Sequence, residues 1–132
     1  MDPSSLGTLV NRKAGLLGVS GISADMRYLL AREAKDPRVF EAIALFCYQA
    51  KKFLGALLGR LDTLVFTGGI GEYGSPIRER ICSGLGFLGV EIDKFRNREG
   101  VISPDSGPVT VRVMRSAEDQ IIAKHTRRLI QG

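Results

Sequence analysis

Gly68-Gly69-Ile70-Gly71-Glu72-Tyr73-Gly74 follows an apolar, β-branched run and precedes Ser75-Pro76. Residues without a Cβ let a ligand approach the main chain, and a glycine-rich turn between a strand and a helix can cradle a nucleotide. Residues 69–74 match G-x-G-x-x-G, and Glu91 and Asp93 lie about 20 residues on, where a dinucleotide-binding fold places its ribose acid. Three features weigh against that reading. Gly84 and Gly86 interrupt the following helix early, Pro76 moves the helix start beyond the third glycine, and a long amphipathic segment precedes the strand. A Walker-type loop is excluded because no Lys-Ser/Thr follows the glycines. A tight turn without a ligand stays open as the plain alternative.

The elements that must position this stretch can be read from periodicity. Asp2 and Pro3 suit the start of a short helix with Leu6, Leu9 and Val10 as its apolar face and Gly15 at its end. Residues 16–23 read as a glycine-punctuated connector. Ser23 suits the cap of a second helix burying Met26, Leu29 and Leu30. Asp36-Pro37 opens the longest helix, over 38–60, where Val39, Ile43, Phe46, Cys47, Phe53, Leu54, Leu57 and Leu58 fall mostly at three- and four-residue steps. Thr63 to Thr67 reads as a strand covered on both faces, because Leu64, Val65 and Phe66 are consecutive. Pro76 to Leu85 reads as a short helix, 87–92 as partly extended and 103–108 as a turn cluster. Val109 to Met114 alternates as a second strand. Ala117 to Ile130 is a last helix, expected to bury Ile121, Ile122 and Leu129. The order is that of an α/β fold with parallel strands. Two strands are few for a self-sufficient sheet.

Composition narrows the class. The 132 residues suffice for one domain with a core, and no apolar run approaches the roughly 20 residues of a membrane-spanning helix. The first residues lack the basic and apolar regions of a signal peptide, so a cytoplasmic protein with no membrane partner is expected. Cys47 and Cys82 lie far apart and outside any zinc pattern, which leaves them as small buried residues. The net charge of +5 comes from scattered lysines and arginines without interleaved aromatics, so no nucleic-acid groove is expected. A mild positive field would favour a phosphorylated small molecule. His125, the only histidine, reads as an exposed helix residue.

"NRKAGLLGVSGISADMR", "DTLVFTGGIGE", "SPIRERICSGLGFLGVEID" and "AEDQIIA" together resemble the C-terminal part of the acetate kinase family, collinearly from about Asn11 to Ile130. The resemblance implies a partial ribonuclease H-like domain of the actin-like ATPase superfamily, with an incomplete sheet, spanning 1–132 as a single unit. It implies ATP or ADP and magnesium as cofactors, acetate or acetyl phosphate as the other substrate, and a homodimer. Adenine and ribose contacts fall on Asp25, Met26 and Arg27 and on Gly69, Ile70, Gly71, Glu72 and Tyr73. The magnesium-associated acid falls on Glu118. Simpler roles stay open for several of them. Asp25 can cap a helix, Met26 can pack in the core, Arg27 and Glu72 can be solvated charges, and Glu118 can favour the positive end of the last helix.

Two departures stand out. Tyr73 occupies the place of an asparagine, and a phenol cannot reproduce a carboxamide's paired donor and acceptor. Arg115-Ser116-Ala117 replaces the usual Pro-Thr-Asn. The family's catalytic aspartate, acetate-handling arginines and phosphate-binding loops belong to a region upstream of the one represented, so no catalytic residue is expected here. The chain reads as part of an acetate kinase that works only with that region, or as a non-catalytic nucleotide-binding or dimerisation module.

Overall fold

A computed structural model describes residues 2–56 and 61–131. Residues 57–60, the expected end of the long helix, lie outside the described residues. Asp2 caps α1 (Pro3–Thr8), accepting hydrogen bonds from the Ser4 and Ser5 backbone N–H groups at 2.9 and 3.0 Å. The helix widens into a π turn over Leu9–Lys13. Leu6, Leu9 and Val10, the apolar face of this helix, are exposed. The expected connector is instead largely helical: α2 (Gly15–Ser20) lies along the long helix, with Leu16 packed on its core.

Asp25, not Ser23, caps α3 (Met26–Leu30), its carboxylate accepting from the Arg27 N–H at 2.8 Å. Ser23 acts one step earlier, its hydroxyl accepting from the Asp25 N–H at 3.0 Å. Short polar side chains compete for the same N–H groups at a helix start, and the one nearest the first turn captures the cap. The long helix α4 (Pro37–Gly55) begins as expected: Asp36 accepts from Arg38 and Val39 N–H, and Pro37 sits in the first turn. Val39, Ala42, Ile43 and Cys47 form its buried stripe. Full burial of a side chain such as Ile43 contributes about 1.5–3 kcal/mol.

Strand β1 (Thr63–Phe66) leads into a short helix α5 (Gly68–Tyr73) where a loop was expected, and α6 (Ser75–Cys82) follows after Gly74. A 3-10 turn at Gly86–Leu88 precedes β2 (Gly100–Val101) and β3 (Thr110–Val113), and α7 (Glu118–Gln131) ends the described chain. The sheet order is β1-β3-β2. The β1 and β3 strands are parallel, pairing Leu64 with Val111 and Phe66 with Val113; β2 is a short antiparallel edge that the sequence did not signal.

The sheet is covered on one face only. Leu64, Phe66, Val111 and Val113 turn inward, whereas Val65 and Arg112 on the other face are exposed. The consecutive apolar run therefore marks a strand with period-two burial, correcting the two-sided expectation. Two cores meet at Leu54 and Phe66. Met26, Leu29, Val39, Ile43, Ile77 and Ile81 pack between α3, α4 and α6. Cys82, Leu85, Val90, Ile102 and Val111 pack beneath the sheet. Burial raises the Cys82 thiol to about 12, so it is an inert core residue. Arg80 of α6 and Glu33 add a two-toothed ion pair across the first core.

The last helix departs furthest from expectation. Ile121, Ile122 and Leu129 are exposed, Leu129 by 85%. Its apolar residues recur at helical spacing but meet no core among the described residues. Burying such surface stabilises by about 25 cal/mol per Å2. We expect sedimentation at micromolar concentration to show self-association that Ile122→Lys with Leu129→Lys reduces without loss of helix content; a compact monomer would contradict this.

Candidate functional site

The glycine helix is held from beneath by one buried cation. Arg78 of α6 is 1% exposed. Its guanidinium donates to the Gly71 and Glu72 carbonyls at 2.7 and 2.9 Å, which are the unpaired carbonyls at the end of α5. It also donates to Asn97 Oδ1 at 2.8 Å, to the Asn97 carbonyl at 3.0 Å and to the Arg98 carbonyl at 3.4 Å. All five donors of the fork are thereby used. Burial pulls the Arg78 pKa down, yet a group whose ordinary value is above about 12 stays a cation at neutral pH. The Asn97 amide closes the network by donating to the Ser75 carbonyl and to Glu79, both at 3.0 Å.

Glycines in the same segment divide by role. A Cβ on Gly71 would stand 3.1 Å from the Phe66 carbonyl carbon, so this glycine lets α5 lie against the end of β1. Gly68 has a φ of +69°, the left-handed turn that swings the chain from strand to helix. Gly69 differs: a Cβ there would meet nothing within 4 Å. The chain's own packing does not require a glycine at that position.

Gly69 opens onto a cavity of about 370 Å3. Ile70, Tyr73 and Gly74 wall it from α5, and Ala24, Asp25, Met26, Arg27 and Leu30 wall it from α3. Segments 25–27 and 69–73, more than 40 residues apart in the chain, thus converge on one hollow. Asp25 serves both as helix cap and as partner of Arg27, whose Nη2 lies 3.3 Å from the carboxylate. The Arg27 side chain first, then its N–H, holds the Asp25 carboxyl below the usual carboxylate range. Met26 is 4% exposed and belongs to the core, which makes it the floor of the hollow.

Gly71 and Glu72 also have partners within the chain. Gly71 packs on Phe66. The Glu72 carboxylate accepts from the Gly68 N–H at 3.1 Å and the Ser116 N–H at 2.7 Å. It therefore ties the glycine helix to the segment before α7. The Ser116 N–H, with the Gly68 N–H and the Arg115 charge, lowers its pKa. Glu72 and Tyr73 also line a neighbouring cavity of about 580 Å3 with Arg98, Glu99, Gly100, Val113 and Arg115. Glu118 begins α7 and is exposed. Among the described residues no group of three or more His, Cys, Asp or Glu could hold a metal ion.

Sequence reasoning missed Arg78 and Asn97. The available signal was Arg78 itself, which falls in the apolar stripe of Ile77, Ile81, Cys82 and Leu85 rather than on the solvated side.

The comparisons decide the family. The model of the "Acetokinase family" matches residues 1–124. The chain belongs to the acetokinase family. An acetate kinase of Rhodopseudomonas palustris is 46% identical over 139 residues, covering 100% of this chain and 34% of that protein. One from Solibacter usitatus is 42% identical over 142 residues, covering 100% and 34%. The crystal structure of Porphyromonas gingivalis acetate kinase superposes with a TM-score of 0.85 at 34% identity, covering 98% of this chain and 35% of the other. A propionate kinase from Francisella tularensis gives 0.82 at 33% identity, covering 93% and 33%. This acetokinase chain spans about a third of the length of the relatives it matches. Its incomplete sheet and helices follow the actin-like ATPase fold of these kinases. No helix among the described residues is long and apolar enough to cross a membrane.

Two measurements test the support beneath the hollow. Arg78→Lys keeps the charge but offers three donors to five acceptors, so chemical denaturation should show a loss of about 2–4 kcal/mol. Glu72→Ala should lower the melting temperature at neutral pH. The Glu72 contribution is present above the ordinary glutamate pKa of about 4.3 and is lost as pH falls through its depressed folded value. The difference between wild type and Glu72→Ala should therefore shrink as pH falls below about 4.

Proposed function

We propose that residues 1–132 form a single domain that is the C-terminal, nucleotide-binding portion of an acetate kinase, the enzyme that interconverts ATP plus acetate with ADP plus acetyl phosphate. One observation carries the reading. Segments 25–27 and 69–73 meet around a hollow in which Gly69 leaves space that the chain's own packing does not use. Gly69 stands in the first turn of α5 with nothing within 4 Å of a Cβ, and a ligand lying against the main chain would give the bare position a use.

In this reading Asp25 accepts from ribose hydroxyls, and Arg27 presents a flat guanidinium to base or phosphate. Gly69 and Ile70 offer main chain to the base, and Tyr73 forms the rim. Gly71 and Glu72 act behind them, by packing on β1 and by bridging to Ser116. Magnesium ordinarily keeps several waters and takes one or two carboxylates together with substrate phosphates. Glu118, exposed at the start of α7, would be this chain's carboxylate for such an ion. When bound, the ion neutralises phosphate charge. Transfer also needs a phosphate clamp and a positioned acceptor. The proposal assigns those to the longer protein, along with the acetate site, and expects a cytoplasmic homodimer. The exposed apolar side of α7 favours a second reading, a dimerisation module without catalysis.

Titration of the purified chain with magnesium ATP, magnesium ADP and NAD is the direct test. ATP or ADP should bind in preference to NAD. Gly69→Ala should leave the melting temperature unchanged or raised while weakening ATP about tenfold or more, because its Cβ enters space the base needs. Equal ATP affinity in Gly69→Ala would overturn the assignment of the hollow. Acetyl phosphate should form only when the remaining two-thirds of an acetate kinase is supplied; formation by the chain alone would show that catalysis needs no more chain.

A further inference from the structure

The outer side of α6 borders a different cavity. Pro76, Glu79 and Arg80 of α6 and Ser83 at its end recur at three- and four-residue steps, on the side away from the buried Ile77 and Ile81. They line a cavity of about 480 Å3 that Lys51 of α4 and Lys94 complete. None of these residues lines the hollow between α3 and α5, and the chemistry of this cavity does not rest on the nucleotide reading.

The charges around it are unevenly matched. Arg80 is taken up by its two-toothed pair with Glu33. Lys51 is half-buried, yet neither it nor Lys94 makes a hydrogen bond or ion pair among the described residues. Burial raises the Cys47 thiol, and the Arg80 and Lys51 charges pull against that rise, so both cations lie within electrostatic reach of one buried sulfur. One oxygen of Glu79, Oε1, accepts from the Asn97 amide at 3.0 Å, and Oε2 takes no hydrogen bond among the described residues. The cavity thus offers two unmatched ammonium groups, the Ser83 hydroxyl and a single carboxylate oxygen.

That donor set suits an oxyanion, but the carboxylate repels one that carries no proton. Hydrogen phosphate satisfies both conditions. Its charged oxygens accept from ammonium groups, and its remaining P–OH can donate to a carboxylate. Sulfate has the same size and shape and no such proton at neutral pH. We propose that the cavity between α4 and α6 is a binding site for hydrogen phosphate, with Lys51 and Lys94 as its cationic donors and Glu79 as the acceptor that distinguishes phosphate from sulfate. Ser83 adds a neutral donor. Arg80 holds the wall through Glu33 and adds positive charge without leaving its partner.

The test is calorimetric titration of the chain with sodium phosphate and with sodium sulfate at neutral pH and matched ionic strength. Wild type should bind phosphate about tenfold or more tightly than sulfate, because a site built to accept a proton rejects the analogue that lacks it. Magnesium ADP at saturation should leave phosphate affinity unchanged. Lys51→Gln should weaken phosphate about tenfold, the loss of one charge-assisted hydrogen bond. Glu79→Gln can still accept from Asn97 and should bring the two anions within about threefold of each other. Circular dichroism checks folding, and Lys94→Gln takes the place of Lys51→Gln if that variant does not fold. Equal wild-type affinity for phosphate and sulfate would overturn the proposal, as would no phosphate binding at all. Unchanged phosphate affinity in the folded lysine variant would do the same. Displacement of phosphate by ADP would also overturn it, by moving the anion to the nucleotide hollow.

Discussion

A guanidinium buried without a carboxylate among its hydrogen-bond acceptors is the constraint on which the rest of this structure depends. Arg78 directs all five donors to backbone carbonyls and to one amide oxygen. Three chain segments meet there: the end of α5, the turn at 97–98, and α6, which carries the arginine. A desolvated charge is costly unless each donor finds an acceptor with suitable geometry. The segments are therefore fixed together or not at all. Helix α5 has only six residues, too short for stability from its own hydrogen bonds. Its position is imposed by the carbonyl clamp below and by Gly71 against β1 beside it.

That clamp explains how a bare helix can serve as the wall of a hollow. Glycines weaken a helix by leaving its backbone freedom large. In α5 the loss is offset from outside, by Arg78 at one end and by Glu72 reaching back to the Gly68 N–H at the other. Glu72 also reaches forward to Ser116, so the start of α7 is registered to the same element. Glu72 is thus a strut between α5 and the segment before α7. The side chain that best explains why α5 stays in place is not on α5.

The elements that were legible in sequence are those whose signals are local. Asp36-Pro37 and the three- and four-residue spacing from Val39 to Cys47 announce α4 because capping and periodicity act within one segment. The parallel β1–β3 pairing followed from the order of elements. Segments 25–27 and 69–73 were named from family resemblance, and the fold brings much of each to one hollow. What was not legible depends on partners distant in sequence. The Arg78–Asn97 network spans 19 residues and could be suspected only from a charge in an apolar stripe. Covered and uncovered faces were also misjudged. Leu64-Val65-Phe66 and the apolar residues of α7 report what a segment is able to bury, and the surroundings decide whether it does.

The uncovered surfaces and the hollow belong to one argument about division of labour. The sheet leaves one face exposed, and the apolar residues of α7 meet no core among the described residues, so both are surface that burial would stabilise. The hollow, by contrast, is built locally: its two walls, its floor at Met26 and its rim all come from residues 24–30 and 69–74. Binding energy from a base and ribose can position a nucleotide, yet phosphoryl transfer depends on charge stabilisation at the far end of the triphosphate. On the proposed reading, separating the two functions in space would let one short segment fix the nucleoside while a different surface supplied the chemistry. That reading requires rigidity at the hollow, and the buried guanidinium beneath α5 supplies it.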